Sequence, residues 1–156
     1  MSAFNFNDVK EFNTNRFADS PLGKQYLFSE YVEVKFDIIQ NRLDGCTREE
    51  KVEKELQEKY PPEKGYSVIR EAYLRDENGN IVKDPLTGEA RRIDFVVIKD
   101  GMVVEMVEVT SKTAPKDAQT AKENRIRENG GNYIKAENGD IVRIPNSVQT
   151  RIDRRD

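Results

Sequence analysis

The chain of 156 residues carries 26 basic and 29 acidic side chains for a net charge of −3, with 36% hydrophobic residues, one cysteine and no histidine. This length suits one domain with a real core. The missing histidines exclude Ser-His triads, imidazole acid–base work and His-metal sites, and the lone Cys46 excludes an internal disulfide or a thiolate zinc cluster.

Chemistry must therefore rest on carboxylates, Lys, Tyr, Ser/Thr or a hard, oxygen-bound cation. The slightly acidic balance argues against a passive nucleic-acid coat, though less against an enzyme that contacts few phosphates. No apolar run approaches membrane-spanning length, and the opening MSAFNFNDVKEFNTNR has no signal-peptide pattern, so a soluble domain with no membrane segment is expected.

Residues 1 to about 19 read as a loosely attached lead-in, and Ser20-Pro21 as a helix start with proline at the first helical position. Leu22 to Leu43 is predicted as one or two helices with an apolar stripe including Leu22, Tyr26, Val34, Ile38 and Ile39, broken at Asp44-Gly45. Thr47 as N-cap, with Glu50 at the capping-box position, opens a further helix to about Lys59. Val52 and Leu56 share one face of it, and Pro61-Pro62 stops it. The organisation expected is an N-terminal helical lead-in over residues 1–45 and a compact domain over residues 46–156.

Gly65 opens a strand, roughly Tyr66 to Arg75, followed by turns at Asp76–Gly79 and Asp84–Gly88. The strongest β signal is Arg92–Ile98 and Met102–Thr110, joined by Lys99-Asp100-Gly101 as a hairpin connection. A helix from about Pro115 to Glu128 carries Ala118, Ala121 and Ile126 and ends at Gly130-Gly131. A last hairpin pairs Asn132–Ala136 with Asp140–Ile144, and Thr150–Asp156 is a charged tail. The core order is αβββαβ, an α/β fold with a central mixed sheet flanked by helices, plus the N-terminal helical segment.

Two charges stand out because they sit inside apolar strands: Asp94 between Ile93 and Phe95, and Glu108 between Val107 and Val109. Charges in such places need compensation, although a solvated strand face is the plain alternative for either one alone. With a three-residue loop, Ile98 pairs with Met102, Val96 with Val104, and Asp94 falls opposite Met106. Asp94 and Glu108 then share a face, on a diagonal of about 7–8 Å; a two-residue loop would put them on opposite faces. Two adjacent, partly buried carboxylates call for a cation. Mg²⁺ suits oxygen ligands and keeps waters, one of which can act as nucleophile. Thr110 and Lys112 continue on the Glu108 side if the strand persists.

The order of helix with an early Glu, strand, Asp in a second strand, Glu-x-x-x-Lys ending a third, then a helix with Gln resembles the PD-(D/E)xK, restriction-endonuclease-like fold. Arg91 to Val97, Glu108 to Ala114, Gln119 and Arg125-Ile126-Arg127 are similar, more narrowly, to the C-terminal toxin domains of bacterial polymorphic and contact-dependent growth inhibition systems. The resemblance covers about residues 42 to 154. It implies a metal-dependent endonuclease using Mg²⁺ or Mn²⁺, with DNA ahead of tRNA as substrate. It further implies secretion within a larger protein, action in the cytoplasm of a target bacterial cell, and a cognate immunity protein as partner.

Carried over, the resemblance makes Asp94 and Glu108 metal ligands and Glu49 an added helix carboxylate. Gln119 becomes the helix glutamine near the scissile phosphate. The usual lysine two residues after the Glu is replaced by Thr110, so Lys112, or Lys116 at the start of the following helix, would take its role. Glu71 is a candidate for a supporting carboxylate. Arg91, Arg92, Lys122, Arg125 and Arg127 could hold phosphates, or could serve solubility and local pairing. The reading from a different class is a non-catalytic interaction module that keeps the fold.

Overall fold

The computed structural model describes the backbone of residues 21–156 and side chains from Glu30 onward. The expected lead-in before Pro21, and the Leu22 and Tyr26 part of the apolar stripe, lie outside the described residues. The chain divides into two units, Met1–Asp44 and Gly45–Asp156. In the first, the described part is helix, and Val34, Phe36, Ile38 and Leu43 are exposed along it.

One continuous helix, α1, runs Pro21–Lys59, where a break at Asp44-Gly45 was expected. An interior glycine costs a helix only about 1 kcal/mol. Gly45 keeps a negative φ, and Asp44 bonds back to Gln40 Nε2 at 2.8 Å, one turn away, rather than turning the chain. Thr47 is consequently an interior residue and not a cap. Tyr60 and a 3₁₀ turn, Pro62–Lys64, end this element.

The second unit is mixed α/β around a six-stranded mixed sheet. Its strands are β1 (Tyr66–Tyr73), β2 (Arg92–Lys99), β3 (Met102–Ser111), β4 (Tyr133–Lys135), β5 (Ile141–Arg143) and β6 (Thr150–Arg155), with helix α2 (Asp117–Glu128) after β3. The order is β1-β2-β3-β5-β4, with β1, β2 and β3 antiparallel. The outer edge of β3 is shared: β5 pairs parallel at Met102, and β6 pairs parallel from Met106 to Ser111.

Alternate residues of β2 enter two cores, because both sheet faces are covered. Val96 and Ile98 pack with Ile69, Met106 and Ile126 of α2. Phe95 and Val97 pack with Val107 and with Val52 and Leu56 of α1. The near-continuous apolar run of β2 is thus a strand clamped between helices.

Two differences bear on the site. The hairpin loop has two residues, Asp100 and Gly101, both at positive φ (52° and 75°), so Lys99 faces Met102. This is the left-handed turn that suits a tight hairpin, and glycine adopts it without strain. A bulge then follows. Ile98 faces Val103 but Val97 faces Glu105, leaving Val104 as the extra residue. The expected pairing of Asp94 with Met106 is therefore replaced by Val96 with Met106 and Phe95 with Val107. The charged tail is also a strand, β6, which makes the order αβββαβββ rather than αβββαβ.

Candidate functional site

The site lies where β2 and β3 part. Their ladder stops at Phe95–Val107, while Arg92 and Ile93 stay paired with β1 and β3 continues along β6. One further step of the post-bulge register sets Asp94 against Glu108. The two-residue loop alone would have separated them; the bulge reverses that parity. Instead of extending the ladder, Asp94 turns its carboxylate toward β3, where Oδ2 accepts the Val109 N–H at 2.8 Å.

Glu108 is 5% exposed and surrounded by donors. Its Oε2 accepts from Arg91 Nη2 at 2.9 Å, and its Oε1 from Gln119 Nε2 at 2.8 Å and Lys116 Nζ at 3.1 Å. Arg91, itself 6% exposed, also donates through Nε to Glu123 Oε2 at 3.4 Å and through Nη1 to the Arg92 carbonyl at 2.8 Å. Glu123, on α2 one turn past Gln119, accepts on Oε1 from Thr150 Oγ1 of β6. Strand β3, helix α2, strand β6 and the segment just before β2 therefore meet on one buried ion cluster, which borders a cavity of about 140 Å³ beside α2.

The two carboxylates are tuned in opposite directions. Burial raises Asp94, and the charges of Glu108 and Glu49 add to this, outweighing the Val109 N–H and Arg91, so its pKa is pushed up to about 6. Burial works the same way on Glu108, but the charge and hydrogen bonds of Arg91, with those of Lys116 and Gln119, hold it below the usual carboxylate range. Glu108 therefore stays ionised well into mildly acidic solution, whereas Asp94 beside it gains its charge only as pH rises through about 6.

Of the residues singled out from sequence, Glu108, Lys116 and Gln119 are in direct contact, and Asp94 stands close enough to feel the charge of Glu108 while bonding to the Val109 N–H. Thr110 is buried further along β3, on the Glu108 side and opposite Arg154 of β6. Lys112 is not at the site: it is exposed at the strand end and pairs with Asp156. Lys116 takes its place because the chain turns after Ser111 and the helix start folds back over Glu108. Glu49 and Glu53 on α1 both bind Arg70, at 3.0 and 3.1 Å, so Glu49 reaches Asp94 through its charge. Glu71 is held at positive φ (55°) and pairs with Arg92 at 3.6 Å.

The phosphate-binding candidates are mostly engaged elsewhere. Arg125 makes a two-pronged pair with the buried Asp84, at 2.8 and 2.7 Å, which pins the excursion between β1 and β2 onto α2. Lys122 pairs with Glu89 at 2.7 Å. Arg127 is buried against Asn132 and the carbonyls of Pro145 and Val148, a structural post rather than a surface cation. Arg92 remains exposed.

Sequence reasoning missed the pairing of Arg91 with Glu123, and Thr150 behind it. The available signal was weak: Glu123 lies four residues after Gln119, so the two share a helix face.

Asp94 and Glu108 present hard oxygen donors suited to a divalent ion. The repulsion between them is of the kind such a charge relieves. Among the described residues no group of three or more His, Cys, Asp or Glu stands ready to hold a metal. An ion held by these two carboxylates alone would take its other ligands from water or substrate, as Mg²⁺ commonly does. No helix among the described residues is long and apolar enough to cross a membrane. No protein-family model, no curated protein and no solved structure matches this chain.

Proposed function

We propose that the chain is a divalent-metal-dependent nuclease of restriction-endonuclease-like type that hydrolyses phosphodiester bonds with Mg²⁺ or Mn²⁺. The observation that carries this reading is the buried Glu108, gripped by Arg91, Lys116 and Gln119 and set against Asp94 at the parting of two strands. Asp94 and Glu108 would hold the ion, which when bound supplies Lewis acidity toward the phosphate and acidifies the attacking water. Arg91 keeps Glu108 ionised and aimed. Lys116, released from Glu108 Oε1, stabilises the charge developing on the phosphate, and Gln119 orients the phosphate or the water. Because Asp94 must lose its proton to act, cleavage should rise as pH climbs through about 6.

The resemblance to interbacterial toxin domains extends the proposal to a toxic module of a larger secreted protein. It would act in the cytoplasm of a target cell and be neutralised by an immunity protein. DNA is the first substrate to try and tRNA the second. Purified protein is incubated with plasmid and with total tRNA in Mg²⁺ or Mn²⁺, with and without EDTA. Cleavage should require the metal, and Asp94→Ala and Glu108→Ala should each lower it about a hundredfold or more. Normal cutting by both variants would end the proposal.

One observation favours a second reading, a non-catalytic interaction module: both oxygens of Glu108 are already satisfied by protein donors, as in a purely structural cluster. Thermal denaturation separates the two. A metal site gains stability with millimolar Mg²⁺ or Mn²⁺, and a structural cluster does not.

A further inference from the structure

Strand β1 pairs with β2 residue for residue from Tyr66 to Tyr73, with one gap. Arg70 faces Phe95 and Ala72 faces Ile93, so the missing pair is Glu71 with Asp94. No residue is inserted on either strand, because the register is the same before and after the gap. The bulge at Val104 is different in kind, since there β3 carries an extra residue.

Side-chain alternation slips at the same point on both strands. Ile69, Ala72 and Leu74 enter the core that includes Ile126 of α2, and from β2 Ile98, Val96 and Ile93 enter it. Residues sharing a face of a regular strand lie two apart. Strict alternation would therefore send Glu71 and Asp94 into that core, directly opposite each other. Two like charges so placed repel and are costly to bury. The slip puts Ala72 and Ile93 there instead.

Glu71 absorbs the slip. Its φ of 55° is left-handed, a conformation that residues other than Gly, Asn and Asp rarely adopt. Among the described residues, Asp100 (φ 52°) is the other non-glycine with a positive φ, and it sits in the tight hairpin turn that requires it. Glu71 lies inside a strand instead. Its side chain does not explain the conformation: the carboxylate pairs with Arg92 at 3.6 Å, both are exposed, and such a pair adds little. Strain of this kind persists only where the surroundings impose it, and it gathers at functional sites. The consequence here falls on Asp94. Released from β1, it reaches across to β3, where Oδ2 accepts the Val109 N–H at 2.8 Å, one residue from Glu108.

We infer that Glu71 is a positioning residue for the candidate site: its left-handed backbone, rather than its carboxylate, breaks the β1–β2 ladder opposite Asp94 and so turns that side chain toward Val109 and Glu108. The inference rests on the nuclease reading for what Asp94 then does, but not for where Asp94 points.

The test is a series at position 71 in the full chain, read by amide hydrogen exchange without metal and by plasmid cleavage in Mg²⁺. Glu71→Val, whose branched side chain resists a positive φ, should speed exchange of the Val109 amide about tenfold relative to that of Val107, which stays paired with Phe95. It should lower kcat by about tenfold or more, with KM within about threefold, as a misplaced reacting group does. Glu71→Gly, which adopts the conformation without strain, should keep Val109 protected, melt at or above the parent's temperature and restore cleavage to within about threefold. Glu71→Gln, which removes only the charge, should protect Val109 as the parent does. Val109 protection unchanged in Glu71→Val, or lost in Glu71→Gln or Glu71→Gly, overturns the inference, and the last two arms decide it even where Glu71→Val fails to fold. A parent that cuts nothing would defeat the nuclease reading, while the exchange pattern would still decide what Glu71 does.

Discussion

Strand β3 carries two glutamates three residues apart, and each anchors an ion-pair network of nearly the same composition. Glu105 accepts from Tyr60 and from Arg151 at 2.9 Å, and Arg151 leads on through Asp153 and Arg155 to Glu55 of α1. Glu108 binds Arg91, which leads on to Glu123 and Thr150. The difference is water. In the first network the Arg151 and Glu105 side chains are 48% and 15% exposed; in the second, Arg91 and Glu108 are 7% and 6% exposed. Exposed pairs are screened and each adds little. Burying charges is expensive, and often gains nothing over apolar packing, so a buried cluster is poorly explained by stability alone. Composition does not distinguish a brace from a site; solvent does.

The largest effect should come from breaking the buried network. Arg91→Met removes the cation shared by two buried carboxylates, leaving Glu108 to Lys116 and Gln119 and Glu123 to Thr150 with no charge partner, at a cost of about 3–5 kcal/mol and roughly 10 °C in melting temperature for a chain of this size. Arg91→Lys should recover part of the stability, but not the geometry by which one planar guanidinium bridges Glu108 and Glu123. A melting temperature unchanged in Arg91→Met would erase the contrast between the networks.

Asp94, which belongs to neither network, sharpens the comparison from the side of pH. Its pKa in the fold, about 6, lies above the ordinary 3.8, so the fold prefers the protonated form. The stability this preference gives is present below about pH 3.8 and lost as pH rises through about 6. Asp94→Asn, which can still accept the Val109 N–H, should therefore gain about 1–2 kcal/mol at pH 8, discounted for partial exposure, and next to nothing at pH 4. Denaturant titrations at the two pH values check it; equal gains at both would mean that Asp94 is not under electrostatic pressure. Mg²⁺ should stabilise the parent and not this variant.

The smallest effect should follow Arg151→Ala in the exposed network, under about 1 kcal/mol and with cleavage unchanged. A loss comparable to that of Arg91→Met would make exposure the wrong criterion.

Much of the frame was legible in the sequence. The β2–β3 hairpin announced itself by apolar runs around Lys99-Asp100-Gly101, although Lys99 belongs to the ladder rather than to the loop, and α2 by its spacing and terminal glycines. Asp94 and Glu108 were conspicuous because charge inside such runs demands a reason. What could not be read was set by partners distant in sequence. The bulge at Val104 leaves no mark in an apolar strand. β6, Thr-Arg-Ile-Asp-Arg-Arg, has almost no hydrophobic signal because its side chains pair with charges on β3 and α1. Lys116 displaced Lys112 because the turn after Ser111, rather than strand alternation, decides which lysine folds back. Glu123 could be placed on the face of Gln119, but its engagement with Arg91, thirty-two positions away, only the fold reveals.

The Val104 bulge has a consequence for how this protein tolerates change. Swapping one aliphatic residue for another along the two strands alters packing but not which way any side chain points. Inserting or deleting a single residue between Asp94 and Glu108 would send one of them through to the far face, while the apolar content stayed almost the same. In this hairpin the interval between the acids is therefore more fragile to indels than the identity of the residues that fill it.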